Sequence, residues 1–188
     1  MVNSKTSKVI FIKSAIALSA AALILSGCGK GGDKSAAVPA DGVEVKIGHV
    51  APLTGPIAHL GKDNENGARL ALEEINKAGL TIDGKKVVLT LVPEDDAEDP
   101  KTATQVAQKL VDAKVAGVVG HLNSGTSIPA SKIYSDAGIT QISPSATNPD
   151  YTKQGFKTTY RLVATDAQQG PALGNYVAKT LKAKTVAI

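Results

Sequence analysis

Three histidines, His49, His59 and His121, supply the imidazoles of this 188-residue chain. No two of them are four residues apart, as a helical pair of zinc ligands would be. The single cysteine, Cys28, excludes a Cys-x-x-Cys pair, so a transition-metal site has no support. His121 and Ser124 share one short segment and could act as base and nucleophile. Neither Gly-x-Ser-x-Gly nor Ser-x-x-Lys frames that serine, and His121 reads as a structural residue at a strand end. Glu94, Asp95, Asp96, Glu98 and Asp99 lack the Asp-x-Asp-x-Asp-Gly rhythm of a calcium loop. They read as a solvated loop whose charge favours the N-terminus of the next helix. There is no Gly-x-x-x-x-Gly-Lys-Ser/Thr run to cradle a nucleotide phosphate. The residue types point to no cofactor and no metal, and an enzyme reading rests on His121 and Ser124 alone.

Binding is better served. Gly120-His-Leu-Asn-Ser-Gly-Thr-Ser127 ends an apolar run and leads into a helix expected to open at Ile128-Pro129. Small hydroxylated residues there leave backbone N–H groups free at a helix N-terminus, which suits a carboxylate. Ser143-Pro-Ser-Ala-Thr-Asn-Pro149 ends the next apolar run and offers hydroxyls and carbonyls suited to an ammonium group. Together the two loops could hold an amino acid. The same residues serve equally as helix caps and turns, and residue types alone leave both readings open.

These loops must be carried by a framework, and the patterning predicts one. Val43–Val50, Lys86–Val92, Val115–Val119, Ile139–Ile142 and Thr158–Val163 are β-branched or apolar runs read as strands, with a sixth beginning at Thr185–Ile188. Between them run helical patterns. One starts at Asp63, with Ala68, Leu72 and Ile75 on one face, and is closed by Gly79. Others begin at Pro100, with Val106, Leu110 and Val111 inward, and span Ser127–Ala137 and Gln169–Lys182. Asp83-Gly84 is a turn. Strand–helix alternation predicts an α/β fold with a parallel sheet flanked by helices. Ligands of such sheets bind beyond the carboxyl ends of the strands. That singles out the segments Ala51–Lys62, Pro93–Asp99, Gly120–Thr126 and Ser143–Asp150.

The first residues belong to a different task. Lys5, Lys8 and Lys13 precede an apolar run, Ser14–Leu25, that is too short to span a bilayer, which takes about 20 residues. Leu25-Ser-Gly-Cys28 follows and resembles the lipobox of bacterial lipoproteins. A basic head, a short apolar core and a small-residue cleavage site describe an export signal over residues 1–27. The lipobox resemblance implies a lipid anchor on Cys28. Residues 28–42, rich in Gly, Ser, Ala, Pro and Lys, are expected to be a flexible tether. Removing the signal leaves 18 basic and 17 acidic residues, so the formal net charge of +4 is mostly a property of the signal. No basic stretch interleaved with aromatics suggests nucleic acid. No cysteine remains for a disulfide, so stability must come from a packed core.

The chain resembles the periplasmic branched-chain amino-acid binding proteins, the type I solute-binding lipoproteins of ABC importers. The resemblance rests on Gly55-Pro-Ile-Ala58, Asn66-Gly-Ala-Arg69, Asp95-Asp-Ala97 with Asp99-Pro100, Gly120-His-Leu122, Ile142-Ser-Pro144 with Ala146-Thr-Asn-Pro149, and Gln169-Gly-Pro171. It implies a two-lobed fold clamping its ligand, with residues 43–165 as an incomplete first lobe and residues 166–188 as the start of a truncated second. On that resemblance Ser124 and nearby amides hold the ligand carboxylate. Ser145 gives a carbonyl and Thr147 a hydroxyl to the ammonium, and Leu60 and Leu122 line the site. Some relatives join the positions of Glu98 and Asn123 by a disulfide that this chain cannot form. The implied function is capture of a branched-chain or similar aliphatic amino acid, without chemistry, for the permease subunits of an ABC importer. The implied location is the periplasm or cell surface, at a membrane through the lipid anchor. Alternatives are a receptor for amides, short peptides or aromatic acids, or a lipoprotein hydrolase using Ser124 and His121.

Overall fold

The computed structural model describes residues 42–187. The expected signal segment, Cys28 and nearly all of the tether lie outside them. The elements are β1 (Val43–Ala51), α1 (Ala58–Ala78), β2 (Leu80–Ile82), β3 (Lys85–Asp95), α2 (Pro100–Asp112), β4 (Gly117–Gly120), α3 (Ser124–Asp136), β5 (Thr140–Ser143), α4 (Asp150–Lys153), β6 (Thr159–Arg161) and α5 (Asp166–Asn175). A π-helical stretch, Tyr176–Thr180, follows α5 directly. The strands form one sheet in the order β2-β3-β1-β4-β5-β6. All pairings are parallel except β2 with β3, which are antiparallel.

Local chemistry accounts for most of the boundaries. Pro100 opens α2 at a position where its missing N–H costs nothing. Asp99 caps the helix, its carboxylate accepting from the Thr102 N–H at 2.6 Å and from the Thr102 hydroxyl at 2.7 Å. Ala103, Val106, Ala107 and Leu110 recur at helical spacing and are buried. At the end of α1, Gly79 takes φ of 83° and returns its N–H to the Ile75 carbonyl. One buried residue of α1 is charged. Burial opposes ionisation of Glu65, but Lys62 at 2.8 Å and Arg69 at 2.6 Å outweigh it and hold the carboxyl below its ordinary value.

Successive residues of a strand face opposite sides of a sheet, and β1 shows where each helix lies. A side chain at Gly48 would meet Leu110 of α2 and Val118 of β4, and Val50, on the same side, joins the cluster of Val106, Ala107, Leu110, Val115, Val118, Ala130, Tyr134 and Ile139. That side carries α2 and α3. Ala51 and Pro52 meet α1 at Gly61, on the other side. The sheet is therefore covered on both faces.

Several expectations need correction. The sheet is mixed, because Leu80–Ile82 folds back on β3 across the Asp83-Gly84 turn as an antiparallel edge strand. Three residues are too few to show strand periodicity. α1 starts at Ala58 rather than Asp63, α3 at Ser124 rather than Ser127, and α5 at Asp166 rather than Gln169. Thr185–Ala187 form no strand, and their side chains are exposed. A strand needs a partner to supply its hydrogen bonds, and no described residue supplies one. From Asp166 to Ala187 no residue is buried.

Candidate functional site

Counting only the parallel strands, the chain runs from the central β1 outward to β3 and then returns to β4 on the other side of β1. The order reverses between β1 and β4. Their following segments leave for opposite faces, the first into α1 and the second into α3, and this opens a crevice beyond the carboxyl ends of the strands. Gly120 closes the sheet at this point. It pairs with Val50, and a Cβ built on it would lie 2.3 Å from the Val50 carbonyl oxygen. With φ of 141° as well, the position accommodates only glycine.

Beneath the crevice lies a buried polar network. His121 and Asp96 are both fully buried, with Nδ1 of the ring 2.8 Å from Asp96 Oδ2. Nε2 lies 3.2 Å from the Tyr134 hydroxyl. Burial holds the imidazole below its ordinary pKa and outweighs the opposing pull of Asp96. The ring is therefore neutral near pH 7, with Nδ1–H donating to Asp96 and Nε2 accepting from the Tyr134 O–H. Burial likewise raises the Tyr134 hydroxyl above its ordinary value and keeps the phenol protonated. The His121 carbonyl accepts from the hydroxyls of Ser127 at 3.0 Å and Ser143 at 2.7 Å. Ser143 Oγ in turn accepts from the Ala146 N–H at 2.9 Å. Both ring nitrogens of His121 are engaged by Asp96 and Tyr134 inside the core, and no hydrogen bond joins the ring to Ser124.

The acidic segment is more structured than a solvated loop. Only Asp99 does what the sequence predicts and caps α2. Asp96 is buried on His121, and Glu94 pairs with Lys109 at 2.7 Å. Asp95 accepts from the Leu53 N–H at 2.8 Å, the Thr54 hydroxyl at 2.6 Å and the Ala97 N–H at 2.8 Å. Burial opposes its ionisation, but these donors outweigh it and lower its pKa. Asp95 thereby ties the β1–α1 segment to the end of β3. Nothing in the sequence marks Asp95, Asp96 and Tyr134 for these roles, because their partners lie far along the chain.

At the mouth of the crevice, α3 begins one residue after Asn123. Asn123 is of a type that caps helices, yet its side chain donates to Glu98 at 3.3 Å and makes no cap. A hydrogen bond thus joins the two positions that the family resemblance pairs by a disulfide. Among the described residues, the N–H groups of Ser124 and Gly125 have no hydrogen-bond partner. Ser124 Oγ accepts from the Asn148 N–H at 3.1 Å, and the Ser145 hydroxyl donates to the Leu122 carbonyl at 2.7 Å. Ser124, Leu122, Ser145 and the Thr147–Asn148 segment are thus brought together. The Ser145 carbonyl and the Thr147 hydroxyl are engaged by no other described residue. Leu60 lies in the first turn of α1, at the same end of the sheet, and is exposed. No hydrogen bond links it to the other four. The described residues contain no group of three or more His, Cys, Asp or Glu arranged to hold a metal ion.

The model of a family described as periplasmic binding protein matches residues 44–188. A leucine-, isoleucine-, valine-, threonine- and alanine-binding protein of Pseudomonas aeruginosa is 44% identical over 144 residues, covering 77% of this chain and 38% of the relative. A Leu/Ile/Val-binding protein homologue of Brucella abortus is 43% identical over 145 residues, with the same coverage of 77% and 38%. Among solved structures, the branched-chain amino-acid transporter substrate-binding protein LivJ of Streptococcus pneumoniae, in complex with isoleucine, superimposes with a TM-score of 0.69 at 37% identity. It covers 76% of this chain and 40% of its own. The chain therefore spans about two fifths of the length of the proteins it matches.

Proposed function

The chain belongs to the periplasmic binding protein family, and from that premise we propose that it is part of an extracytoplasmic receptor for branched-chain or similar aliphatic amino acids, serving an ABC importer. The observation that carries this reading is the uncapped start of α3 at the point where the strand order reverses. The free N–H groups of Ser124 and Gly125 and the Ser124 hydroxyl meet the ligand carboxylate, aided by the positive end of the helix dipole. The Ser145 carbonyl and the Thr147 hydroxyl face the ammonium, which takes acceptors only. Leu60 and Leu122 offer apolar surface to the side chain. The site binds and performs no chemistry.

Residues 43–165 form one lobe of a clamp, and residues from Asp166 lead towards the other. That no described residue beyond Thr159 is fully buried supports this division. Leu162, Leu173, Tyr176 and Leu181, all more than half exposed, are the kind of surface a second lobe would cover. Cys28 anchors the mature protein to a membrane outside the cytoplasm.

Amide NMR tests the site on the chain itself. L-Leucine should shift the Ser124 and Gly125 amides in a saturable way, while isopentylamine, which is leucine without its carboxylate, should not. Equal responses to the two compounds, or a response confined to other residues, would remove the carboxylate from this helix end.

A further inference from the structure

The site described above uses neither Asp96 nor Tyr134, yet both are buried polar groups aimed at one ring. His121 is the hub of the carboxyl end of the sheet. Its Nδ1–H donates to Asp96, which follows β3, and the Asp96 N–H donates to the Ala51 carbonyl at the end of β1. Its Nε2 accepts from Tyr134, eleven residues into α3. Its carbonyl accepts from Ser127 of α3 and Ser143 of β5. Asp96 uses each oxygen once, since Oδ1 also accepts from the Glu98 N–H at 3.1 Å. Through its ring and its carbonyl His121 thus links Asp96, α3 and the end of β5, and Asp96 extends the link to the end of β1.

We propose that Asp96 and Tyr134 are positioning residues for the ligand site, clamping the His121 ring from both sides and so fixing the start of α3 against the β5–α4 loop. The spacing between the N–H groups of Ser124 and Gly125 and the carbonyl and hydroxyl of Ser145 and Thr147 is then set before a ligand arrives. Preset geometry strengthens binding because little ordering remains to be done. This inference rests on the proposed ligand site.

The ring's own titration provides the diagnostic. The titratable groups bearing on it are Asp96 beside the end of β3, Tyr134 of α3 and His49 of β1, while Glu94 and Tyr151 bear on Tyr134. Asp96 favours the charged imidazolium. The Tyr134 O–H favours the neutral ring, because a charged ring would donate from Nε2 instead and leave the buried phenolic proton with no acceptor among the described residues. Asp96→Asn should therefore lower the His121 pKa and Tyr134→Phe should raise it. Loss of packing alone would not produce opposite shifts. Asparagine, moreover, places an NH2 where one of the two oxygens stood, so it cannot accept at both the His121 and the Glu98 positions.

The experiment follows the His121 ring by NMR from about pH 5 to 8 in the full chain, together with leucine titrations and amide exchange at Thr126, Ser127 and Ala146. Opposite pKa shifts, faster exchange and roughly three- to tenfold weaker leucine binding in both variants support the proposal. Wild-type leucine affinity in both variants, or shifts in the same direction, overturn it. If the unaltered chain gives no leucine response, the ligand reading falls and the exchange data alone decide: unchanged exchange overturns the positioning role and faster exchange keeps it. Should Asp96→Asn fail to fold, Tyr134→Phe, which loses a single oxygen atom, carries the same decisions.

Discussion

Two glycines five residues apart should respond oppositely to alanine. At Gly120, a Cβ would sit 2.3 Å from the Val50 carbonyl oxygen and 3.0 Å from the Val50 nitrogen. Both atoms belong to the backbone of β1, the central strand, so no flexible side chain can move aside. Relief requires β4 to shift away from β1 by about 1 Å in an interior packed like a crystal. Overpacking of this kind costs about 1–3 kcal/mol. The φ of 141° adds about 1–3 kcal/mol for a residue with a Cβ. The combined cost of about 2–6 kcal/mol is a large fraction of the 5–15 kcal/mol typical of a domain. Gly125 has open space around its would-be Cβ and no left-handed backbone. Alanine there should stabilise α3 by about 0.5–1 kcal/mol. Urea unfolding followed by circular dichroism measures both. With a slope of about 1–3 kcal/mol per molar, Gly120→Ala should lower the midpoint by at least about 0.7 M, and Gly125→Ala should raise it slightly. A Gly120→Ala midpoint matching wild type would refute the close approach of β4 to β1, and with it the shape of the crevice.

Four further outcomes follow. The buried rings of His121 and His49 have lowered pKa values, from burial in both cases. The unfolded chain therefore binds more protons, and stability should decline as pH falls below the unfolded value of about 6.5; urea midpoints that stay level from about pH 8 down to 5 would contradict this. The lowered Asp95 carboxyl adds stability that is present above its unfolded value of about 3.9 and is lost as pH falls through its folded value. Ser124→Ala should weaken leucine binding about tenfold to a hundredfold, the effect of losing one charge-assisted hydrogen bond of roughly 1.5–3 kcal/mol, and unchanged affinity by calorimetry would move the site elsewhere. Cys28→Ala should abolish incorporation of labelled lipid in a lipoprotein-processing bacterium, whereas persistent labelling would mean that the anchor is not Cys28.

What the sequence determined by itself is what short segments decide among their own residues. Val43–Val50 is a strand because its residues are β-branched and lie between turn-formers. Pro100 starts a helix and Gly79 ends one because their backbone preferences act at a single position. Asp99 caps α2 because its partner is three residues away. The alternation of such segments gave the α/β class, and with it the carboxyl end of the sheet as the place to look. His121 reads as structural because no nucleophile motif surrounds Ser124, and the ring lies buried between Asp96 and Tyr134. Tertiary structure decided the rest. β2 is too short to reveal itself and exists because β3 offers an edge. Asn123 makes no side-chain cap on α3 and instead donates to Glu98, 25 residues away. The acids at 95 and 96 look alike in the sequence, yet one secures the β1–α1 segment and the other lies buried on His121. Hydrogen bonds between residues so distant form only when the sheet has set its strand order, and no local pattern encodes that order.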